Sequence, residues 1–280
     1  MRLERPTSPP TLSRKREREP TPARPLPMSL PILNIAAYRF VDLPDAQALR
    51  ERLFASAQAA SLKGTVLLAT EGINLCLAGP TAALREWLAS LQDDTRFAEL
   101  DLKTSLSATL PFKRLVVKVK REIIRMNQPA IRPYAARAPA VDASTLARWL
   151  DAGMDDAGRP LLMLDTRNAF EVDAGRFHGA ADWRLHKFSD FPQALATHRA
   201  ELEGKTVVSY CTGGIRCEKA ALLMADAGVK SVFQLEGGIL RYLEATGGAH
   251  FDGNCFVFDE RETLDATRAP TQSSPASQPR

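Results

Sequence analysis

The sequence predicts an α/β protein built from two domains, and three observations support this prediction. The chain has 280 residues, which is long enough for two separate hydrophobic cores. Strand-like and helical segments follow one another in the order β-α-β-β-α-β across residues 31–126. Strands and helices then alternate regularly across residues 141–262, which is typical of a parallel sheet covered on both faces. Residues 127–140 are proline-rich and are interpreted as the interdomain linker.

Both ends of the chain are expected to be disordered. Residues 1–30 hold seven Lys or Arg against three Asp or Glu, so this proline-rich leader carries the whole net charge of +4. Such a composition cannot form an apolar core, and it lacks the apolar stretch of a signal peptide. Met28 is a candidate for the true start of the protein. Residues 263–280 are expected to form a disordered tail.

Composition excludes several classes of protein. Hydrophobic residues make up 45% and charged residues 25% of the chain, and no apolar run approaches the roughly 18 residues of a membrane helix. The cysteines contain no CxxC pair, which argues against a zinc ribbon or a disulfide scaffold and favours a reducing, cytoplasmic location. The four cysteines are Cys76, Cys211, Cys217 and Cys255.

The first domain follows from its elements in order. The segment ILNIAAYRFV has strand character, and the next segment is a helix with Leu49, Leu53 and Ala57 on one face. KGTVLLATEGINLCLAG predicts two strands about a bend, and PTAALREWLASLQ predicts a second helix. FKRLVVKVKREIIRM alternates Val with Lys and is predicted to be the last strand, buried on one face. This order predicts a ferredoxin-like (acylphosphatase-like) α+β plait, a fold with many functions.

The second domain opens with a helix that Asp142 or Ser144 could cap. A buried strand, RPLLMLDTRN, ends at Asp165 and Arg167. Two further strands, KTVVSYC and VKSVFQLEGGI, flank the helix CEKAALLMADAG. In parallel sheets ligands bind beyond the carboxyl ends of the strands, and Cys211 lies at such an end.

The stretch SYCTGGIRCEKA is the strongest candidate site. Gly213 and Gly214 allow the backbone to curl so that successive N–H groups converge on one point. The next helix begins near Arg216, and its N-terminal dipole is aimed at the same point. These features would stabilise a thiolate, a persulfide, an oxyanion or a phosphate at Cys211. The predicted active-site loop comprises Cys211, Thr212, Gly213, Gly214, Ile215 and Arg216.

The spacing of this loop disfavours two phosphate chemistries. The Gly-Lys-Ser/Thr ending of a Walker loop is absent. Cysteine phosphatases carry five residues between the nucleophile and the loop arginine, whereas four lie between Cys211 and Arg216. A shorter loop makes a narrower pocket, which suits a sulfur-bound species better than a phosphate.

Residues 158–245 resemble a rhodanese domain, in which DTRNAFEVDAGRFHGA and YCTGGIR match the family's signature and active-site loop. The ordered run GTVLLATEGIN, PFKRLVVKVKREII, DTRN, YCTGGIRCEKA, LEGGILRYLE and CFVFDER resembles, from Ile32 to Arg261, the bacterial rhodanese-domain family of tRNA uridine(34) hydroxylases. This resemblance implies oxygen-dependent formation of 5-hydroxyuridine at the wobble position of tRNA, with Cys211 essential. It also implies a tRNA anticodon loop as partner and molecular oxygen as co-substrate.

The residues themselves do not select hydroxylation. A thiolate at Cys211 that added to C6 of uracil would make C5 electron-rich, and we interpret Cys211 in this way, as thiolate or persulfide. No flavin fingerprint, haem motif or two-His-one-carboxylate cluster is present, so no cofactor or metal is expected.

Further residues have supporting interpretations. Cys217 could resolve an oxidised Cys211, or it could simply pack against the loop. Asp165 and Arg167 are expected to hold the loop rather than touch substrate. Glu218 and Lys219 are interpreted as a solvated pair. Cys76 and Cys255 are interpreted as packed strand residues, and Gly237 and Gly238 as a second turn where the backbone approaches a ligand.

Basic residues of the first domain are candidates for RNA phosphate contacts. Alternation in KRLVVKVKR places Lys118 and Lys120 on one face of a strand, where they form either a basic stripe or an ordinary solvated face. The candidates are Lys113, Arg114, Lys118, Lys120 and Arg121.

Two other functions stay open. A sulfurtransferase would pass sulfur from a Cys211 persulfide to cyanide, a thiol or tRNA, but it would not need residues 31–126. A non-catalytic RNA-binding or scaffold protein would be expected to have lost Cys211 or Arg216, and both are present.

Overall fold

A computed structural model describes residues 32–265 and residue 267. The predicted leader and most of the predicted tail lie outside the described residues. The predicted tail begins at residue 263, but Thr263–Leu264 form a short strand, and Leu264 is buried. The boundary is therefore wrong by two residues, because Leu264 contributes to the core of the second domain.

The first domain consists of one five-stranded sheet with two helices packed against it. The strands follow the order β4-β1-β3-β2-β5, and the three pairs among the first four strands are antiparallel. This is the ferredoxin-like, acylphosphatase-like arrangement that the sequence predicts. The elements are β1 (Ile32–Phe40), α1 (Ala46–Ala59), β2 (Lys63–Ala69), β3 (Gly72–Pro80), α2 (Thr81–Gln92), β4 (Lys103–Ser107) and β5 (Leu115–Val119).

The core of this domain lies between the helices and one face of the sheet. Leu49, Leu53 and Ala57 of α1 are buried there, on the one face that the helical spacing predicts. Apolar side chains of β2 and β3 meet them, since alternate residues of a strand point to the same face.

The prediction of which segment forms the last strand of the plait is wrong. The plait's last strand is Lys103–Ser107, which the sequence analysis did not identify. The predicted last strand forms only Leu115–Val119, an edge strand that pairs parallel to β2. The segment KTSLS is short and polar, so its strand character depends on pairing with β1 rather than on its own pattern.

The second domain has a five-stranded sheet in which every neighbouring pair is parallel, in the order β6-β11-β10-β7-β9. Small antiparallel pairs, β8 with β12 and β13 with β14, complete it. The elements are β6 (Ala140–Val141), α3 (Ala143–Ala152), β7 (Leu161–Asp165), α4 (Ala169–Ala174), β8 (Gly175–Phe177), β9 (Ala181–Asp182), α5 (Phe191–His198), β10 (Thr206–Tyr210), α6 (Ile215–Asp226), β11 (Val232–Leu235), α7 (Gly238–Thr246), β12 (Phe251–Gly253), β13 (Cys255–Phe256) and β14 (Thr263–Leu264).

The long elements of this domain follow local sequence signals. The Asp142 side chain accepts hydrogen bonds from the N–H groups of Ser144 and Thr145 and so caps α3. β10 is buried along its whole length, as a central parallel strand must be. Helices α4 and α7 and the short strands were not predicted: α4 and the short strands carry too few residues for a period to show, and α7 begins within the Gly237-Gly238 pair that was interpreted as a turn.

The connection between the domains is packed rather than free. Residues 120–139 form turns and bends without helix or strand. Met126 and Ala138 are nevertheless buried in a core cluster of the second domain. The Gln234 amide donates to the Ala138 carbonyl, and its backbone N–H donates to that of Pro139. In the described part of the chain, no helix has the length and apolar character needed to cross a membrane.

Candidate active site

The cysteine loop joins the carboxyl end of β10 to the first turn of α6. Cys211 follows β10 directly, and α6 begins at Ile215 after Gly214, whose φ of 100° lies in the left-handed region. The N–H of Gly214 donates to Cys211 Sγ at 3.2 Å. Of the two loop glycines, Gly214 adopts positive φ while Gly213 does not.

Cys211 is a thiolate near neutral pH. Burial raises the pKa of a thiol, since a buried charge loses its hydration. For Cys211 this is outweighed by a hydrogen bond from the Cys217 thiol, by the charge of Arg216, and by the N–H groups of Arg216 and Cys217, which together bring the pKa down to about 5. The N-terminus of α6 therefore stabilises an anion, as the loop pattern predicts.

Cys217 has the opposite protonation preference. Its side chain is buried, and burial together with the neighbouring Cys211 raises its pKa well above the usual value. Its Sγ lies 3.7 Å from Thr166 Oγ1. Cys217 is therefore a protonated thiol that donates to the Cys211 thiolate.

Arg216 turns inward, but its charge is compensated. Its guanidinium donates to both carboxylate oxygens of Glu171, at 2.6 and 2.7 Å, and both side chains are buried. Glu171 lies in α4, where its carboxylate also accepts from the N–H of Asn168 in a capping box. Arg216 thus fastens the loop to α4 and keeps little positive charge free for a dianionic ligand.

Asp165 and Arg167 form a second buried ion pair behind the loop. Arg167 donates to Asp165 at 2.7 Å and to the Gly175 carbonyl at 2.6 Å, and neither charged side chain is exposed. Thr166, between them, donates through Oγ1 to the Tyr210 carbonyl at 2.9 Å. These residues, like Cys217, do not line the cavity at Cys211, and they hold the strand ends in place.

The second glycine turn packs against the loop itself. A Cβ on Gly238 would lie 2.5 Å from the Cys211 carbonyl oxygen, and Gly238 has a φ of 67°. The N–H groups of Ile239 and Leu240 donate to the carbonyls of Cys211 and Thr212. The close backbone approach expected at Gly237 and Gly238 is therefore to the loop.

A cavity of about 620 Å³ opens at Cys211 between the two domains. This volume lies within the range of small-molecule sites. Five residues of the predicted loop line it: Cys211, Thr212, Gly213, Ile215 and Arg216. The first domain supplies the other side, including Tyr38, Leu67, Cys76, Lys103 and Ile123.

Tyr38 and Lys103 are site residues that the sequence analysis missed. Tyr38 Oη donates to Glu218 at 3.0 Å, and this oxygen would also lie 3.0 Å from a Cβ placed on Gly214. Both residues lie in strands of the first domain, about 170 or 110 positions away from the loop in the sequence. Only the packing of the two domains brings them to Cys211, so no local pattern could have identified them. Cys76, interpreted as a packed strand residue, also lines the cavity.

The interpretation of Glu218 and Lys219 as a solvated pair is wrong. Lys219 is buried and donates to Glu71 at 2.9 Å and to Glu122 at 2.7 Å, both in the first domain. Glu218 is also buried, against Tyr38. Helix α6 is covered by the first domain at this end, which the sequence of α6 alone does not show.

The basic candidates do not line the cavity at Cys211. Lys113 is exposed and lies 3.5 Å from Glu260, while Arg114 and Lys118 are exposed on or beside β5. Lys120 and Arg121 line a second cavity of about 470 Å³. The two cavities adjoin, because both are lined by Leu67, Ile123, Ile124 and Arg125.

Two family models match the chain. The UPF0176 acylphosphatase like domain matches residues 32–123, and the Rhodanese-like domain matches residues 146–245. A tRNA uridine(34) hydroxylase of Bordetella avium is 62% identical over 239 residues, which cover 85% of this chain and 99% of the relative. The protein of the same name from Variovorax paradoxus is 62% identical and covers 83% and 89%, and that from Cupriavidus taiwanensis is 56% identical and covers 85% of each.

The fold and the site define a two-domain enzyme in which a rhodanese-like domain with an activated cysteine loop shares its cavity with an acylphosphatase-like domain. The chain belongs to the family of tRNA uridine(34) hydroxylases, and the resemblance seen in its sequence is confirmed.

Proposed function

We propose that this protein hydroxylates C5 of the wobble uridine of tRNA to give 5-hydroxyuridine, with molecular oxygen as co-substrate and the anticodon loop as its binding partner. The observation that carries the proposal is the Cys211 thiolate in the wall of an interdomain cavity. Family membership supports the substrate, since the relatives are named for uridine 34 of tRNA.

Cys211 acts as the nucleophile in this proposal. Its thiolate adds to C6 of the uracil, and the electron pair of the C5–C6 double bond moves toward C5 and O4. Oxygen is then delivered to the electron-rich C5, after which C5 loses its proton and the thiolate is expelled, which restores the C5–C6 double bond. Because one atom of O₂ leaves as water, the net reaction also consumes two electrons and two protons, which a reductant must supply.

The cavity suits a single extruded base. A wobble uridine lies in a loop, so it can be splayed out without breaking a duplex. A volume of about 620 Å³ accommodates one pyrimidine with its ribose, and the loop residues form one wall of it.

The nucleotides next to the wobble base would follow the adjoining second cavity. Lys120 and Arg121 line that cavity, and Arg125 lines both. The described residues contain no ion pair for any of these three side chains. They are therefore proposed, with Lys118, Lys113 and Arg114 around them, as contacts to the phosphates of the anticodon loop.

The test is a mass measurement on the modified nucleoside. Purified protein and a Cys211→Ala variant are incubated with unmodified tRNA and a reductant, under air and under nitrogen, and the digested nucleosides are weighed. One added oxygen on the wobble uridine is expected with the parent protein in air, and none under nitrogen or with Cys211→Ala. Cys255→Ala, which removes a thiol that does not line the cavity, serves as the matched control.

One specific outcome would contradict the proposed hydroxylation. Absence of added oxygen, together with Cys211-dependent thiocyanate formation from thiosulfate and cyanide, would replace hydroxylation with sulfur transfer.

A further inference from the structure

A buried lysine lies in the cavity wall that the first domain contributes. Lys103 is in β4, its side chain is 6% exposed, and it lines the same cavity as Cys211. Its Nζ donates to Asp101 Oδ2 at 2.6 Å and lies 5.5 Å from the centre of the Tyr38 ring. Buried lysines are rare because an ammonium group loses its hydration.

The carboxylate beside Lys103 compensates its charge only in part. Asp101 is also paired with Arg241 of α7, so two cations share one carboxylate, and the Asp101 side chain is 37% exposed. Burial lowers the pKa of Lys103, while Asp101 and the nearby Cys211 act in the opposite direction. The remainder of the Lys103 charge is therefore balanced by the nearby Cys211 thiolate.

The other cations of the cavity do not have this arrangement. Arg216 is neutralised by a two-point contact with Glu171. Arg125 and Lys187 also line the cavity, but both are exposed to solvent. Among the described residues that line the cavity, Lys103 is therefore the buried cation without a two-point carboxylate contact. Two of its three ammonium donors go to the Asp101 carboxylate and carbonyl, so one donor remains.

We propose that Lys103 is a catalytic residue, which donates a hydrogen bond to carbonyl oxygen O4 of the uracil and stabilises the enolate formed when Cys211 adds to C6. This inference rests on the proposed function. In that step the thiolate electron pair forms the S–C6 bond, the C5–C6 π pair moves to C5 and C4, and O4 takes the negative charge. No proton has to leave Lys103, and reversal expels the thiolate.

A preorganised donor in a site that excludes water stabilises developing charge strongly, and removal of one such donor typically slows catalysis by about 10²–10³-fold. The first domain thus supplies a reacting group and not only an RNA-binding surface. This would explain why the enzyme couples a rhodanese-like domain to a second fold.

Hydrogen exchange at C5 tests the step separately from oxygenation. Under nitrogen in D₂O, the enolate takes a deuteron at C5, loses the original C5 proton and expels Cys211, so the wobble uridine gains one deuterium without oxygen. The parent protein is expected to catalyse this exchange, and Cys211→Ala is expected to abolish it. Lys103→Met is expected to slow it by about 10²-fold with the dissociation constant for tRNA unchanged.

Control variants separate a catalytic role from a structural one. Lys63→Met, in β2 of the same domain and outside the cavity, should exchange at the parental rate. Lys103→Arg keeps a charged donor and should recover part of the rate. Should Lys103→Met fail to fold by circular dichroism, Lys103→Gln provides the second neutral variant at the same position.

The outcomes distinguish the two proposals. Parental exchange with Lys103→Met and Lys103→Gln would overturn the role of Lys103 and leave hydroxylation by Cys211 intact. Absence of exchange with the parent protein would overturn the addition step and the role of Lys103 together, and oxygen gain in air would then show separately whether hydroxylation itself stands.

Discussion

Two neighbouring thiols, Cys211 in the loop and Cys217 in the first turn of α6, differ in charge at neutral pH. Cys211 accepts hydrogen bonds from Cys217, from Gly214 and from the first N–H groups of α6, so the proton resides on Cys217. A thiolate is the reactive form of cysteine, and here the activation comes from neighbouring donors rather than from a histidine base.

Alkylation should follow the protonation of Cys211. Since the thiolate fraction rises as pH passes upward through the pKa, the rate of Cys211 alkylation by iodoacetamide is expected to reach half its plateau near pH 5. Cys217→Ala removes one donor, so the midpoint should move to higher pH. Peptide mass spectrometry gives the rate at Cys211 alone, and an unchanged midpoint in Cys217→Ala would contradict the hydrogen bond.

The buried pair between Arg216 and Glu171 should be costly to break. Glu171→Gln leaves the guanidinium without its anionic partner in a site closed to water, so we expect a loss of about 3 kcal/mol in the free energy of unfolding. Urea denaturation measures this loss. Glu203→Gln, on an exposed glutamate, is the matched control, and equal losses for both variants would argue against the pair.

At the scale of elements, the loop is fixed by what surrounds it. β10 delivers Cys211, α6 supplies its N-terminal N–H groups, and the first turn of α7 donates to the loop carbonyls. The loop is therefore held on three sides before any substrate arrives, which favours catalysis by a preorganised site.

Gly238 should tolerate no side chain. Its φ of 67° and the contact of 2.5 Å that a Cβ would make with the Cys211 carbonyl both disfavour alanine, so Gly238→Ala should lower stability by roughly 1–3 kcal/mol and displace the loop. Gly204→Ala has a similar φ of 72° but open space around its Cβ. Thermal denaturation and activity of both variants separate the contact from the backbone strain, and equal effects would refute the close approach.

At the scale of the whole molecule, the domains are joined by buried charged contacts as well as by the chain. Lys219 of α6 lies between Glu71 and Glu122 of the first domain, and its Nζ also donates to the Ile124 carbonyl at 3.0 Å. Glu218, the preceding residue of α6, accepts a hydrogen bond from Tyr38 of the first domain. The cavity between the domains exists because these contacts set their relative position.

Removal of Lys219 should loosen this interface. Lys219→Met leaves two carboxylates facing each other without a cation, so we expect faster proteolytic cleavage within residues 120–139 and a fall in hydroxylation. Lys230→Met, at an exposed lysine of the same domain, should behave like the parent protein. Cleavage at the parental rate in Lys219→Met would show that the charged contacts do not hold the domains together.

The basic residues proposed to contact RNA should affect binding more than chemistry. Lys118→Ala/Lys120→Ala is expected to raise KM with little change in kcat, and to reduce the slope of log affinity against log salt by about 2. Lys230→Ala controls for the loss of charge far from the cavity. Unchanged salt dependence in the double variant would place the RNA elsewhere.

Features formed by residues that are close in the sequence could be predicted from it. The two-domain α/β class and the family are confirmed, because strand and helix periods extend over whole elements and the loop from Cys211 to Arg216 is continuous in the chain. Contacts between the two domains could not be predicted in this way. Glu218 and Lys219 were predicted to be solvated because their partners are about 100 to 180 positions away in the sequence. β4 carries no period of its own, and Lys103 was missed with it.

The cavity shared by the two domains has a consequence for how this enzyme can vary. One wall carries Cys211 and the other carries Tyr38 and Lys103, so the halves are not interchangeable modules. If a different rhodanese-like domain were joined to this acylphosphatase-like domain, its helix at the position of α6 would need residues equivalent to Glu218 and Lys219 before any cavity formed. Recombination between relatives is therefore expected to preserve both halves together, and substitutions on one wall to be tolerated only with compensation on the other.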